Sequence, residues 1–321
     1  MPNRSPAHPV GLDSSKPAIG SHSHLPGFGW ALLTGVAIFW GTNWVAIKIS
    51  VAEIPIWQYR VTTAMFAGLV LLAMAKLGGH SLALPRFIWR RFALAALFNI
   101  TGWQILSAYA AHMIASGKAA VLAYTMPIWT TLLAVIFLRE RLTWRILAAL
   151  ALSALGVFVL ISSGIDALGA SPLGILLAVL AAFSWAAGTI VQKSIRWPIP
   201  VIVLAGWQLL LGGIPILIVA LFAGPIVIQN ASAPALLALA YSLMVPMLFG
   251  QYAWFKVVSL FPATVAAIGS VMVPMVGMLS GAVFLGEPLG WREVTALLSI
   301  VGAISLIVFQ PKTGSPAALK R

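Results

Sequence analysis

Apolar stretches of about 20 residues follow one another from Trp30 to Phe309, separated by short polar punctuation. A bilayer core takes about 20 helical residues to cross. The pattern predicts ten membrane helices, near Trp30–Ile49, Trp57–Lys76, Phe92–Met113, Ala119–Leu138 and Thr143–Ser162, then Pro172–Lys193, Pro200–Phe222, Pro234–Val257, Thr264–Leu285 and Trp291–Phe309. The connections are short, and none is long enough for a soluble domain. Residues 1–29 are rich in Pro, Ser, Gly and His and read as a disordered tail, with a second tail at 311–321. No apolar signal core precedes the first run, which predicts no cleavage. His8, His22 and His24 read as solvated tail residues rather than a metal site.

The pattern occurs twice. Pro127 to Arg145 reads PIWTTLLAVIFLRERLTWR, and Pro274 to Arg292 reads PMVGMLSGAVFLGEPLGWR. A shift of 147 residues superposes Pro127 on Pro274, Glu140 on Glu287, Trp144 on Trp291 and Arg145 on Arg292. Apolar matches alone arise by chance; a Pro, a Glu, a Trp and an Arg in one register do not. A shift of 145 places Trp40 on Trp185 and Lys48 on Lys193, and the shift of 147 places Gln104 on Gln251. The chain therefore reads as an internal duplication, 30–163 and 172–310. Each half has five segments, an odd number, so the second enters the membrane inverted. The expected fold is an all-α integral membrane protein of ten transmembrane helices in two inverted five-helix repeats, the architecture of secondary transporters.

Composition agrees. The chain is 61% hydrophobic and 8% charged, where a soluble domain carries about 25% charged residues. A net charge of +13 would suggest nucleic acid in a soluble protein. Here the basic residues sort by side. With the N-terminus in the cytoplasm, only Lys48, Arg60, Lys118 and Arg292 of the 19 Lys and Arg face outward. That bias predicts both termini inside, and a nucleic-acid partner is not expected. There are no cysteines, which excludes disulfides and thiolate metal sites.

At the two FL-x-E-x-L-x-W turns, Phe137–Trp144 and Phe284–Trp291, with the mid-helix prolines and Trp40 and Trp185, the chain resembles the drug/metabolite transporter superfamily in its EamA branch. Within it the chain is similar to bacterial amino-acid and metabolite exporters, including the YddG-type exporters of aromatic amino acids. The resemblance implies a bacterial inner-membrane location and a central cavity lined by the first, third, fourth, sixth, eighth and ninth segments. The fifth and tenth would act as support.

Six acids are present: Asp13, Glu53, Glu140, Asp166, Glu287 and Glu293. None falls near the centre of an expected span, which argues against a carboxylate proton relay and for facilitated diffusion or exchange. Glu140 and Glu287 read as N-terminal caps of the helices that follow them, with a gating role as the alternative. The candidate substrate-binding residues are the polar and aromatic ones inside the spans: Trp40, Asn43, Trp44, Asn99, Trp103, Gln104, Tyr124, Trp185, Gln251, Tyr252, Trp254 and Ser270. Amides hold carboxylate and ammonium while indole faces pack an apolar side chain. Interhelical hydrogen bonding is the competing reading for the amides, and an interfacial belt for Trp30, Trp57, Trp89, Trp144 and Trp291. Lys48, Lys193 and Arg60 read as residues snorkelling to headgroups or attracting an anion. Pro127 and Pro274 should kink matching helices and serve as hinges. Gly68, Gly156, Gly277, Gly281 and Gly302 should let helices pack closely.

The function these features predict is export of amino acids, aromatic ones first, or of related small metabolites by alternating access. No cofactor or metal is called for. A monomer in the lipid bilayer suffices, and a dimer is compatible. A multidrug or cationic-metabolite exporter is the alternative, and it would call for a membrane-embedded carboxylate. A membrane-embedded transferase would need a carboxylate or His constellation, and a channel would need rings of charge.

Overall fold

The computed structural model describes residues 27–113, 122, 125–162, 171–225, 227–286 and 290–308. The expected tails, Tyr124 and Glu287 fall outside these residues, except that the first helix already begins at Gly27 rather than Trp30. The described residues are helical, without strands.

The first half contains α1 (Gly27–Val51), α2 (Ile56–Leu77), α3 (Trp89–Ala96), α4 (Trp103–Met113), α5 (Met126–Leu138) and α6 (Trp144–Ile161). The second contains α7 (Pro172–Ser194), α8 (Val201–Phe222), α9 (Ala233–Ser242), α10 (Gln251–Leu260), α11 (Ala263–Gly269), α12 (Met272–Leu285) and α13 (Trp291–Val308). Wide π turns join α3 to α4 at Leu97–Gly102 and α9 to α10 at Leu243–Gly250. Among the described residues six continuous helical stretches are long and apolar enough to cross a membrane: Gly27–Val51, Ile56–Leu77, Arg86–Ala110, Pro172–Ser194, Val201–Phe222 and Ala233–Leu260. Met126–Leu138, Trp144–Gly156 and Met275–Phe284 are shorter apolar helices. The outer surface carries Leu77, Phe222, Phe87 and Val283, all largely exposed, as a lipid-facing surface would.

The elements pack in matched sets. α1 lies on α12, α9 and α10; α7 lies on α5, α3 and α4. α2 packs on α8 and α6 on α13. At the α2–α8 crossing Gly68 meets Leu210 and the Gly206 carbonyl, while Gly213 meets Met65. The residue numbers run in opposite senses, so the two helices are antiparallel. Small residues are what let backbones approach this closely without a hydrophobic driving force from water. Gly68 and Gly277 do this as expected, Gly277 against Trp44, whereas Gly302 meets only Leu152 Cδ1 at 3.5 Å.

The ends of the helices are set locally. Pro55 and Pro200 precede α2 and α8, where a missing N–H costs nothing. Thr143 caps α6 by accepting from Ile146 N at 3.3 Å, and Ser171 caps α7 by accepting from Gly174 N at 3.1 Å. α5 and α12 both end in a left-handed residue, Arg139 (φ 55°) and Gly286 (φ 65°). Glu53, between α1 and α2, accepts from the Ser232 hydroxyl and backbone N–H at the start of α9, which holds its carboxyl below the ordinary value.

α7 approaches the first π turn closely at Gly188. A Cβ there would stand 2.8 Å from the backbone nitrogen of Asn99. That neighbour is main chain and does not yield cheaply. Gly188→Ala should destabilise by about 1–3 kcal/mol, the range for overpacking. Thermal unfolding in detergent, with Gly302→Ala as the tolerated control, checks this; equal melting of the two variants would refute it.

Candidate functional site

Four tryptophans from four helices meet in the middle of the bundle: Trp40 of α1, Trp103 of α4, Trp185 of α7 and Trp254 of α10. Trp185 is the centre of the group. Its ring centroid lies 5.5 Å from Trp40, 5.2 Å from Trp103 and 5.9 Å from Trp254. Trp40 and Trp254 are themselves 5.5 Å apart. The Trp40 and Trp103 contacts with Trp185 are edge-to-face, the arrangement the ring quadrupole favours. Trp254 and Trp185 are buried, and Trp40 and Trp103 are partly exposed.

The π turns place polar backbone at this level. A π turn leaves carbonyls without their usual i+4 donors, and side chains take them up. Trp40 Nε1 donates to the carbonyl of Pro246 in the second turn at 3.0 Å. Ser184, the residue before Trp185, donates to the carbonyl of Phe98 in the first at 2.8 Å. Thr101 donates to Gly212 O of α8 at 2.7 Å. Pro246 has no N–H to offer and so accounts for the second turn. The first contains no proline, and nothing in its sequence explains it.

Several polar groups around the indoles have no partner within the chain. Asn99, in the first π turn, is buried with both amide atoms unpartnered. Gln251 Nε2, at the start of α10, is likewise unpartnered, as is Trp254 Nε1, whereas Asn43 lies against Tyr59. Each such group costs about 1–3 kcal/mol when buried and unmatched. Donors and acceptors with unused capacity beside aromatic faces are what a small polar solute with an apolar body would satisfy.

Not every expected residue belongs to this cluster. Trp44 packs over Gly277 at the α1–α12 contact. Ser270 is buried and turns its hydroxyl back to Ala267 O at 2.6 Å. Tyr252 packs at the margin of the core. Gln104 is engaged by Arg60. Pro127 lies in the first turn of α5, and Pro274 in that of α12, after a turn at Ser270–Val271. The ninth segment is thus broken in two, and each proline starts a helix where its missing N–H is harmless.

Two charged residues also differ from expectation. Glu140 does not cap the helix that follows it, a task Thr143 performs. Its carboxylate accepts from Ala263 N at 2.8 Å and Thr264 N at 3.3 Å, at the start of α11 in the other half. Lys193 does not snorkel outward; its ammonium donates to Val258 O, in the last turn of α10, at 2.9 Å. A cavity of about 330 Å³ opens here, lined by Gln192, Lys193, Arg196, Trp197 and Phe255 among others. Trp144 and Trp291 do sit exposed at helix starts, each with the following arginine over its ring at 5.5 and 5.0 Å. Trp30 and Trp57 instead turn onto Phe261 and Tyr109.

No group of three or more His, Cys, Asp or Glu that could hold a metal occurs among the described residues. A profile of the EamA-like transporter family matches the chain twice, over residues 27–162 and again over 172–309. The chain belongs to the EamA-like transporter family. Family relatives are alike over nearly their full length. The uncharacterized transporter YvbV of Bacillus subtilis is 26% identical over 90% of this chain and 94% of its own. A probable amino-acid metabolite efflux pump of Salmonella typhimurium is 28% identical over 85% and 92%. The uncharacterized inner membrane transporter YedA of Escherichia coli is 27% identical over 88% and 90%. The fold also matches a crystal structure with TM-score 0.76 and 19% identity, covering 88% of this chain and 96% of that one. These family and relatives' names are those of transporters rather than enzymes, and the long apolar helices make a multi-pass membrane protein.

Proposed function

We propose that this EamA-family chain is a secondary exporter of amino acids, aromatic ones first, or of related small metabolites. It works by alternating access between two inverted five-helix repeats, 30–163 and 172–310. The observation that carries this reading is the four-tryptophan cluster flanked by the unpartnered amides of Asn99 and Gln251. Indole faces suit an aromatic side chain, and amides suit the ends of a zwitterion. The matched packing sets and the antiparallel α2–α8 crossing favour the inverted repeat. The turn at Thr125 before Pro127 and the turn at Ser270–Val271 before Pro274 are the hinges in this reading. The basic-residue bias favours a bacterial inner membrane with both termini cytoplasmic, and a monomer holds the whole site.

Counterflow in proteoliposomes tests the reading. Vesicles are loaded separately with unlabelled phenylalanine, tryptophan, threonine or methionine, and entry of the labelled compound is followed without an ion gradient. Saturable accumulation supports an amino-acid carrier that needs no proton drive. No flux for any of the four removes amino acids as the substrate class.

A further inference from the structure

We propose that Arg60 is an anion-binding subsite of the central site, and that the solute it receives carries a single carboxylate on an apolar, aromatic body. This deepens the transport reading above and rests on it.

Arg60 sits in the second turn of α2, inside the span, with Nε enclosed and unpartnered. Nη1 donates to Gln104 Oε1 and Nη2 to Ser107 Oγ at 3.2 Å, both neutral acceptors on α4. No acid among the described residues pairs with it; the ionisable side chain beside it is Tyr59. A guanidinium within a membrane span is expensive unless something recovers the cost. The fold does not require one here. α2 and α8 correspond end to end at a shift of 145, Pro55 with Pro200, Gly68 with Gly213 and Leu77 with Phe222, and the position that answers to Arg60 is the fully buried Ala205. Gln251, the counterpart of Gln104, keeps an unpartnered amide nitrogen. Of these two matched positions only Arg60 holds a charge, and Gln104 and Ser107 aim it.

The location joins this charge to the aromatic cluster. Gln104 follows Trp103 in α4, and the Trp103 ring lies 5.2 Å from Trp185. Trp57 and Tyr109, 5.4 Å apart, span the same two helices. A guanidinium offers five donors in a planar fork, of which two are taken here, and the fork matches a carboxylate. A lone cation balances one negative charge, which favours carboxylate over a phosphate dianion and disfavours an amine without an acid group. Gln104 and Ser107 are positioning residues.

The test uses the full-length chain purified in detergent, as wild type, Arg60→Gln and Arg60→Lys. Thermal shift is read with 3-phenylpropionate, phenethylamine and inorganic phosphate at matched ionic strength. Phenylpropionate should stabilise the wild type, fail to stabilise Arg60→Gln, and stabilise Arg60→Lys less, because lysine cannot form the fork. Phenethylamine should do nothing. Equal stabilisation of wild type and Arg60→Gln by phenylpropionate overturns the subsite. So does a larger shift with phosphate, or no shift of the wild type with phenylpropionate. If Arg60→Gln does not fold, an unweakened shift in Arg60→Lys overturns it. In counterflow, Arg60→Gln should raise the KM for phenylalanine by about tenfold or more. An unchanged KM overturns the subsite and leaves transport standing. Wild type that binds phenylpropionate through Arg60 and exchanges no amino acid overturns the amino-acid reading and leaves the subsite.

Discussion

Trp185→Ala should abolish measurable amino-acid exchange, and it should do so more completely than alanine at Trp40, Trp103 or Trp254. Trp185 alone touches all three of the other rings. At about 0.5–1.5 kcal/mol for each aromatic pair beyond buried area, its removal forfeits about 1.5–4.5 kcal/mol of organised stacking surface. A tenfold change in affinity is about 1.4 kcal/mol, so the loss spans roughly one to three orders of magnitude. Truncating a buried tryptophan also costs about 3–5 kcal/mol of stability, so the alanine variant needs a partner that separates folding from binding. Trp185→Phe keeps an aromatic face and most of the volume. It should melt near the wild type yet exchange with a KM raised about tenfold. Trp144→Ala removes an exposed ring at the start of α6 and should leave exchange within about twofold. Counterflow kinetics and a melting curve on the same preparations decide the matter. If Trp185→Phe and Trp144→Ala behave alike in KM, the cluster is a structural core and the solute binds elsewhere.

Trp40 and Trp185 were visible in the sequence as a symmetric pair, because a tryptophan retained in both copies at mid-span is poorly explained by an interfacial belt. Their meeting with Trp103 and Trp254 was not, since sequence spacing says nothing about which helices become neighbours. The ends of α2 and α7 are legible in the sequence for a simple reason. α2 and α7 end within one residue of the expected Trp57–Lys76 and Pro172–Lys193, where Pro55 and Ser171–Pro172 mark the starts. The breaks are not legible there. A π turn at Leu97–Gly102 keeps an apolar helical pattern intact, and the turn at Ser270–Val271 carries no glycine or proline of its own. Arg60 reads from the sequence as a residue that snorkels or attracts an anion, and its depth is not obvious there. The signal lay in Pro55, which starts α2 at Ile56 and so carries Arg60 a full turn inward. Glu140 shows the other limit. Capping rules look at neighbours in sequence, and this carboxylate caps a helix 123 residues away.

Glu140→Gln should loosen the end of the bundle that the basic-residue bias assigns to the cytoplasm. The Glu140 carboxylate joins the turn after α5 to the first two backbone N–H groups of α11, so it ties one half of the chain to the other at the mouth of the bundle. Lys193 of α7 lies close enough to Glu140 to interact with it electrostatically, and its ammonium holds the end of α10. A carboxylate at a helix start contributes about 0.3–1 kcal/mol, up to about 2 in partly buried geometry, and its hydrogen bonds are stronger than those of a neutral amide. Glutamine keeps the shape and one acceptor oxygen but loses the charge. An equilibrium between closed and open states would then move about 2- to 30-fold toward open. The chain has no cysteine, so one introduced reporter is unambiguous. Ser270, buried at the turn between α11 and α12, is the place for it. In inside-out vesicles, Ser270→Cys should react with a membrane-impermeant thiol reagent several-fold faster when combined with Glu140→Gln. Glu140→Asp, which retains the charge on a shorter arm, should fall between. Equal rates with and without the Glu140 change would mean that this contact only caps a helix. A faster rate would make it a latch, since the same two N–H groups would then be governing access to the break at which α12 begins.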